Sequence, residues 1–206
     1  MPRLLRRAYS LPADELARRV LGCTLVRVID GERLAGVIVE AEAYMGAIDR
    51  ASHAYGNRRT ARTEPMFGPP GTSYVYFTYG MHHCMNVSAM KRDDPQAVLI
   101  RALRPVDGLE AMRRNRALET PLDRLKPRDL CGGPARLCYA MRLDRAHSGI
   151  DMVESEELFI EGRGSRRVPD IVSSPRIGIR GAGEWTLRPL RFSLREDPHV
   201  SVPVRA

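Results

Sequence analysis

The fold is decided around residues 71–86, which read GTSYVYFTYGMHHCMN. Residues of high β-propensity alternate over 72–79, Gly80 interrupts them, and a second strand-like run covers 84–90. This pattern predicts a β-hairpin with Tyr79 and Gly80 at its end. Five of the seven tyrosines in the chain fall between residues 44 and 79, so this region is rich in flat aromatic faces.

The preceding segment predicts another hairpin. Strand-like runs at 24–29 and 34–44 are joined by Asp30-Gly31, which is a strong signal for a two-residue turn. Residues 45–70 are polar and rich in glycine, arginine and proline, and a loop of that length is usually functional.

The rest of the chain predicts short helices and strands. Helices are predicted at 12–21, at 107–118 with Asp107 as the cap, and at 134–141, where Pro134 begins the first turn. Strands are predicted at 97–103, 158–160, 177–180 and 190–194, and the most mobile loop is predicted at 162–174.

Together these elements predict one α+β domain over residues 1–206. Hairpins dominate, so the sheet is expected to be mostly antiparallel, with the helices packed to one side and one hairpin protruding. No internal repeat, low-complexity tract or linker divides the chain. A chain of 206 residues is long enough for one sizeable core.

The charge of the chain favours a nucleic-acid partner. Lysine and arginine number 33 against 25 acidic residues, which gives a formal net charge of +8. Only Lys91 and Lys126 are lysines, so nearly all of the positive charge is arginine. Arginine binds phosphate oxygens bidentately and stacks on aromatic rings, and both properties suit binding to DNA or RNA.

The remaining composition favours a cytoplasmic protein. The four cysteines have neither a CxxC pair nor a zinc spacing, so they are expected to be reduced, buried thiols. The N-terminus has arginines but no apolar stretch of a secretory signal. The longest aliphatic run, 97–100, is far shorter than a membrane span, so no membrane partner is expected.

Two carboxylates and a tyrosine fall on one face of the strand predicted at 34–44. Glu40, Glu42 and Tyr44 are spaced two apart, so their side chains share a face. A carboxylate that faces a cleft can orient and deprotonate water. On spacing alone, two solvated acids on an exposed face are the simpler interpretation, although Tyr44 on the same face favours a shared pocket.

Arg101 interrupts the apolar run AVLIRAL at 97–103. A buried arginine is rare unless it is paired, so we expect a carboxylate partner, with Glu42 as one candidate. The alternative is an arginine at the end of the strand that faces solvent.

Other residues of this region have two interpretations each. Tyr74 and Tyr76 face one way on a regular strand, and aromatic residues in strands are usually core. An aromatic residue beside glycine at a hairpin end, as in Tyr79-Gly80-Met81, is often exposed and can wedge between stacked bases. A lone histidine such as His53 is more often a hydrogen-bonded surface residue than a catalyst.

A metal site is not predicted. Only His82 and Cys84 of the His82-His83-Cys84 run share a strand face, and spacing supplies no further ligands. The GxGxxG, GxxxxGK[ST], HExxH and GxSxG motifs are also missing, which counts against dinucleotide, nucleotide, zinc-protease and serine-hydrolase chemistry. No cofactor is therefore expected.

Six ordered stretches resemble the alkyladenine (3-methyladenine) DNA glycosylase family. They are GVIVEAEAYMG at 36–46, SHAYGNRRT at 52–60, MFGPPGTSYVYFTYGMHHCMNVS at 66–88, VLIRALRP at 98–105, LCGGPARLC at 130–138 and IGIRGAGEWTLRPLRF at 177–192. The likeness runs from about residue 11 to residue 202. It implies a single mixed α/β domain with a protruding hairpin.

The resemblance also implies residue roles. Glu42 matches the water-activating carboxylate and Arg101 the arginine that helps to hold that water. The flipped base is expected to be held between Tyr44, His53 and Tyr76. The remaining matches are Asn86, which disfavours the 2-amino group of guanine, Leu99 and Ile179, which line the pocket, and Tyr79 with Met81 beside it, which form the minor-groove wedge.

Two departures from the family pattern affect the wedge and the pocket. His82 and His83 stand where aromatic residues are expected, which puts the packing of the hairpin in question. Arg180-Gly181 stands where some relatives have Gly-His, which puts the shape of the pocket wall in question.

The implied activity is that of a monofunctional DNA repair glycosylase. It would flip an alkylated or deaminated purine out of double-stranded DNA, hydrolyse the N-glycosidic bond and leave an abasic site, acting as a monomer. Strand cleavage needs an amine nucleophile, and neither lysine lies in the matching stretches, although Pro2 would expose an amine if Met1 were removed.

Two other classes compete with this activity. One is a metal-dependent nuclease that uses Glu40, Glu42 and His82, and the other is a non-catalytic nucleic-acid-binding module whose tyrosines only stack bases.

Overall fold

The computed structural model describes residues 1–118, 120–164 and 170–204. The helices are α1 (Arg6–Tyr9), α2 (Ala13–Val20), α3 (Leu109–Ala117) and α4 (Pro134–Ala140). The strands are β1 (Thr24–Ile29), β2 (Glu32–Tyr44), β3 (Ser73–Thr78), β4 (His82–Ser88), β5 (Ala97–Asp107), β6 (Leu158–Glu161), β7 (Ile171–Ser174) and β8 (Arg191–Leu194). Short 3₁₀ turns cover Gly46–Ile48, Tyr55–Asn57, Glu64–Phe67, Leu122–Arg124, Pro127–Asp129, Arg145–His147 and Gly183–Thr186.

All strand pairs that join these eight strands are antiparallel. The main order is β3-β4-β5-β2-β1-β6, and β8 pairs with both β2 and β7. The long strand β2 is the centre of the sheet, because β5 covers one of its edges while β1 and β8 share the other. The predicted α+β class, with a mostly antiparallel sheet, is confirmed. In the described part of the chain, no helix is long and apolar enough to cross a membrane.

The two faces of β2 have different environments. Ala41 and Ala43 pack in the main core, which also contains Leu16 of α2, Met112 of α3 and Leu137 of α4. The alternation of a strand places Glu40, Glu42 and Tyr44 on the opposite face. The helices therefore lie on one side of the sheet, as predicted, and the acidic residues point to the other side.

Several predicted boundaries are confirmed within a few residues. Helix α2 lies inside the predicted 12–21, β1 matches 24–29, and α4 lies inside 134–141. Strand β5 runs four residues past the predicted end at 103, because its pairing with β2 continues to Asp107 opposite Ala35.

The predicted capping role of Asp107 is wrong. Asp107 is the last residue of β5, and the N-cap of α3 is Gly108. Gly108 has a φ of +69°, and a Cβ atom there would lie 2.6 Å from the carbonyl oxygen of Arg33. Only glycine fits this close approach between the start of α3 and the first residues of β2.

Two predictions in the last third of the chain are also wrong. Residues 177–180 form a turn instead of a strand, because Gly178 has a positive φ and the Ile177 amide donates to the Glu42 carboxylate. Residues 171–174 of the predicted mobile loop 162–174 form β7, which pairs with β8. Residues 165–169 of that loop lie outside the described residues.

The protruding hairpin consists of β3 and β4. Their pairing ends with Thr78 opposite His82, and the turn between them is closed by a hydrogen bond from the Met81 amide to the Thr78 carbonyl. Tyr79 and Gly80 both have a positive φ, and the side chain of Tyr79 is 84% exposed. The predicted hairpin with an exposed aromatic end is confirmed.

Candidate active site

Glu42 lies near the end of β2 and is fully buried. Its Oε1 atom lies 3.2 Å from Nη1 of Arg101 and accepts a 2.8 Å hydrogen bond from the Ile177 amide. Its Oε2 atom accepts a 3.0 Å hydrogen bond from the Tyr44 hydroxyl. The simpler interpretation, a solvated acid on an exposed face, is therefore wrong, and the expected pairing of Arg101 with Glu42 is confirmed.

The surroundings of Glu42 act on its pKa in opposite directions. Burial raises the pKa of Glu42 above its ordinary value, and the negative charge of Glu40 adds to the rise. The guanidinium of Arg101, the Ile177 amide and the Tyr44 hydroxyl lower it, because each of them stabilises the ionised form. These donors favour the ionised carboxylate, which is the form that can accept a proton from water.

Glu40 extends this contact into a buried ion network. It accepts hydrogen bonds from Nε of Arg101 at 3.0 Å and from Nη1 of Arg191 at 2.8 Å, and its other oxygen accepts from the Ser201 amide at 2.7 Å. Arg101 therefore bridges both carboxylates. Two carboxylates and two guanidiniums balance in charge, which is the condition for burying such groups at tolerable cost.

A cavity of about 250 Å³ opens beside this network. This volume lies slightly below the usual range for ligand sites, which begins at about 300 Å³. Its wall contains every base-binding residue predicted from the sequence, namely Tyr44, His53, Tyr76, Asn86, Leu99 and Ile179, and also Arg101 and Tyr79. Glu42 does not line the cavity itself, but three wall residues contact it: Tyr44, Arg101 and Ile177.

His53 lies at the cavity wall with part of its ring exposed. Its Nδ1 atom lies 2.8 Å from the Tyr74 hydroxyl, and its ring meets the ring of Tyr76 edge-on at 4.6 Å. Burial against these neighbours, together with the charges of Arg62 and Arg58, lowers the pKa of His53 to about 4. The imidazole is therefore neutral at physiological pH.

Tyr74 and Tyr76 share a strand face and both reach the cavity wall, but they differ in burial. Tyr74 is only 2% exposed and packs with Met66 and Phe67, so the core interpretation is correct for it. Tyr76 is half-buried, lines the cavity and has the guanidinium of Arg62 over its ring at 5.1 Å. Burial raises the pKa of both hydroxyls, which keeps both rings neutral.

Asn86 is fixed by the backbone of its own hairpin. Its Nδ2 atom donates to the carbonyl oxygens of Tyr74 at 3.0 Å and of Cys84 at 3.4 Å. Both bonds restrict the rotation of the amide, and Asn86 lies opposite Leu99 of β5 on the cavity wall.

The residues that depart from the family pattern, Arg180, His82 and His83, do not line the cavity. The side chain of Arg180 is exposed and is not part of the cavity wall. His82 lies against Tyr139 and His83 against Phe77, so neither replaces a wall residue. Cys84 faces the cavity while His82 does not, and the described residues contain no group of three side chains that could hold a metal ion.

Sequence reasoning missed the ion pair of Asp49 and Arg176. Both side chains are fully buried, and Arg176 also donates to the carbonyl oxygens of Ala43 and Trp185. The guanidinium lies 4.7 Å from the centre of the Tyr44 ring. The pair therefore packs against the ring of Tyr44. Its two residues are 127 positions apart, so no local sequence pattern could predict their contact.

The fold and the site define an enzyme that binds a nucleic-acid base. A donor-held carboxylate lies behind an aromatic cavity, an exposed tyrosine lies at its mouth, and the protein carries a net charge of +8. This combination suits hydrolysis at a base that has left its stack.

The family model described as methylpurine-DNA glycosylase matches residues 7–198. The chain therefore belongs to the methylpurine-DNA glycosylase family and is a monofunctional DNA repair glycosylase.

Relatives from distant organisms are similar over most of the chain. A protein of Alkaliphilus oremlandii, provisionally named a 3-methyladenine DNA glycosylase, is 43% identical over 97% of this chain and 98% of its own length. The DNA-3-methyladenine glycosylase of Homo sapiens is 44% identical over 94% of this chain and 66% of its own length. The enzyme of that name from Mus musculus is 45% identical over 94% of this chain and 60% of its own length.

Replacing Asp49 by Ala is expected to lower the free energy of unfolding by about 3–5 kcal/mol, because it leaves the buried Arg176 guanidinium without its charge partner. Urea unfolding followed by circular dichroism measures this change. Glu32→Ala, which removes the exposed partner of Arg114, is the control and should change little. Equal, small effects of both substitutions would show that the buried pair does not hold the site.

Proposed function

We propose that this enzyme flips a damaged purine out of duplex DNA into the cavity and hydrolyses its N-glycosidic bond. The products are the free base and an abasic site. The single observation that supports this most is the position of Glu42, a buried carboxylate in contact with three residues of an aromatic cavity wall.

The cationic surface beside the cavity supports binding of the DNA backbone. Arg50, Arg58 and Arg62 are exposed and surround a second hollow, which also contacts His53 and Tyr55. Exposed arginines in this position neutralise phosphates and give an affinity that falls as salt increases. The strand that carries the damaged base would cross this surface on its way into the cavity.

The aromatic groups of the cavity fit a positively charged base. Tyr44 and Tyr76 have pKa values raised by burial, so their rings stay neutral and electron-rich, and His53 is neutral because of its lowered pKa. Neutral aromatic faces attract a cation, whereas a protonated His53 would repel it. The cavity therefore suits purines alkylated at N3 or N7, which carry a positive charge.

Asn86, Leu99 and Ile179 would set the shape of the base site. The amide of Asn86 is held by two backbone carbonyls, so it cannot turn aside for an added group on the base. We propose that it excludes the 2-amino group of guanine, while Leu99 and Ile179 supply apolar contact to the ring.

The proposed chemistry begins with a water molecule between Glu42 and C1′ of the extruded nucleoside. As the C1′–N bond breaks, its electron pair leaves with the base, the sugar becomes cationic, and the ionised Glu42 stabilises it. The water oxygen then bonds to C1′ and a proton passes to Glu42. Arg101 holds the carboxylate in position and keeps it ionised.

Binding of DNA must open access to Glu42. In the free protein the carboxylate is fully buried and its Oε2 atom is occupied by the Tyr44 hydroxyl. We propose that the incoming nucleoside moves this hydroxyl aside, which frees Oε2 for the water. Catalytic hydrogen bonds often take their final geometry only in the complex.

We propose that the enzyme acts as a monomer on double-stranded DNA in the cytoplasm. The four cysteines are buried, and the described residues contain no disulfide, which fits the reducing cytoplasm.

Replacing Glu42 by Gln is expected to slow base release by about 10²- to 10⁴-fold, because the amide cannot accept the proton. Duplexes that contain 3-methyladenine, 7-methylguanine, hypoxanthine or ethenoadenine are assayed for free base, and DNA affinity is measured in parallel. DNA binding should persist, and Glu32→Gln on the surface should leave base release unchanged. Full activity of Glu42→Gln would contradict the proposed mechanism, because it would show that Glu42 is not the base.

The dependence of kcat/KM on pH is expected to have an acid limb above pH 4.5, since burial raises the pKa of Glu42 and its protonated form is inactive. Tyr44→Phe removes a donor to the ionised form, so the limb should move to higher pH. Tyr9→Phe is the control, because its buried hydroxyl has no hydrogen-bond partner among the described residues. A limb below pH 4.5, or one that Tyr44→Phe moves downward, contradicts this assignment.

A further inference from the structure

The end of the protruding hairpin has few contacts of its own. Beyond the last strand pair, Thr78 and His82, the side chain of Tyr79 is 84% exposed, and a Cβ atom on Gly80 would meet no atom within 4 Å. The direction of Tyr79 therefore depends on the groups that hold the neighbouring backbone.

One side chain from outside the hairpin holds that backbone. The Tyr139 hydroxyl of α4 donates a 2.7 Å hydrogen bond to the carbonyl oxygen of Met81, two residues after Tyr79. Nδ1 of His82 lies 3.4 Å from the same hydroxyl, and the two rings meet edge-on at 6.0 Å.

Helix α4 is itself anchored in the core, so it can hold the end of the hairpin in a fixed position. Leu137 and Cys138 are buried in the main core, and α4 packs against β4. Pro134, at the start of the same helix, lines the base cavity. The helix that holds the hairpin end therefore also forms part of the cavity wall.

We propose that Tyr139 is a positioning residue for Tyr79. By holding the Met81 carbonyl to α4, it sets the distance and angle between the wedge and the cavity, so that Tyr79 fills the stack as the base enters the cavity. This inference rests on the proposed function of Tyr79 as the wedge. Tyr139 acts through the backbone of the hairpin.

The inference also accounts for one departure in the sequence. His82 stands where the family pattern has an aromatic residue, and here its ring faces Tyr139 and its Nδ1 approaches the hydroxyl. The polar pair of His82 and Tyr139 joins the hairpin to α4 at this position.

A double-mutant cycle tests the proposal with Tyr139→Phe, Tyr79→Ala and the combination. Tyr139→Phe removes only the hydroxyl and should slow single-turnover base release by about fivefold, the effect of one ordinary hydrogen bond. In the Tyr79→Ala background the same substitution should have no further effect, because it acts through Tyr79. The control is Tyr9→Phe, whose buried hydroxyl has no hydrogen-bond partner among the described residues.

The outcomes separate the inference from the proposed function. If Tyr79→Ala slows base release and Tyr139→Phe does not, Tyr139 has no positioning role. If Tyr139→Phe slows the reaction equally in both backgrounds, its role is general stability, and the inference is wrong. If Tyr79→Ala leaves base release and DNA binding unchanged, the wedge role itself fails, and the inference fails with it.

Discussion

The contact between the Glu42 carboxylate and the Arg101 guanidinium is the interaction on which the rest of the site depends. A buried carboxylate costs several kcal/mol unless a positive charge and hydrogen-bond donors compensate it. Here the compensation comes from three separate elements: Arg101 of β5, Tyr44 at the end of β2, and the Ile177 amide in a turn before β8. The central strands of the sheet must be in place to stabilise the ionised carboxylate once it is buried.

The neighbouring ion pairs extend the same constraint. Glu40 forms ion pairs with both Arg101 and Arg191. Asp49 forms an ion pair with Arg176, whose guanidinium lies over the ring of Tyr44. Buried pairs of this kind contribute little net stability compared with apolar residues, but loss of one partner is costly. Their value here is geometric, since they hold a carboxylate and an aromatic ring against a cavity that must stay open in the absence of DNA.

Local signals in the sequence predicted most of the fold. Asp30-Gly31 predicted the first hairpin, alternation around Gly80 predicted the second, and a buried arginine at 101 required a carboxylate. Other long-range contacts gave no local signal. Ile177 lies in an apolar stretch that suggests a strand, yet its amide is used by Glu42, 135 residues earlier. The family resemblance supplied the candidate base-binding residues, and the structure brings them to one cavity, while Asp49 and Arg176 gave no sequence signal.

The most direct test of the central claim is a crystal structure with duplex DNA that contains a damaged purine nucleoside whose glycosidic bond cannot be cleaved. The account predicts that the base lies between Tyr44, His53 and Tyr76, that Tyr79 occupies the vacated position in the stack, and that a water molecule lies between Glu42 and C1′. A base that stays within the duplex, or a Glu42 carboxylate that remains covered and remote from the sugar, would contradict it.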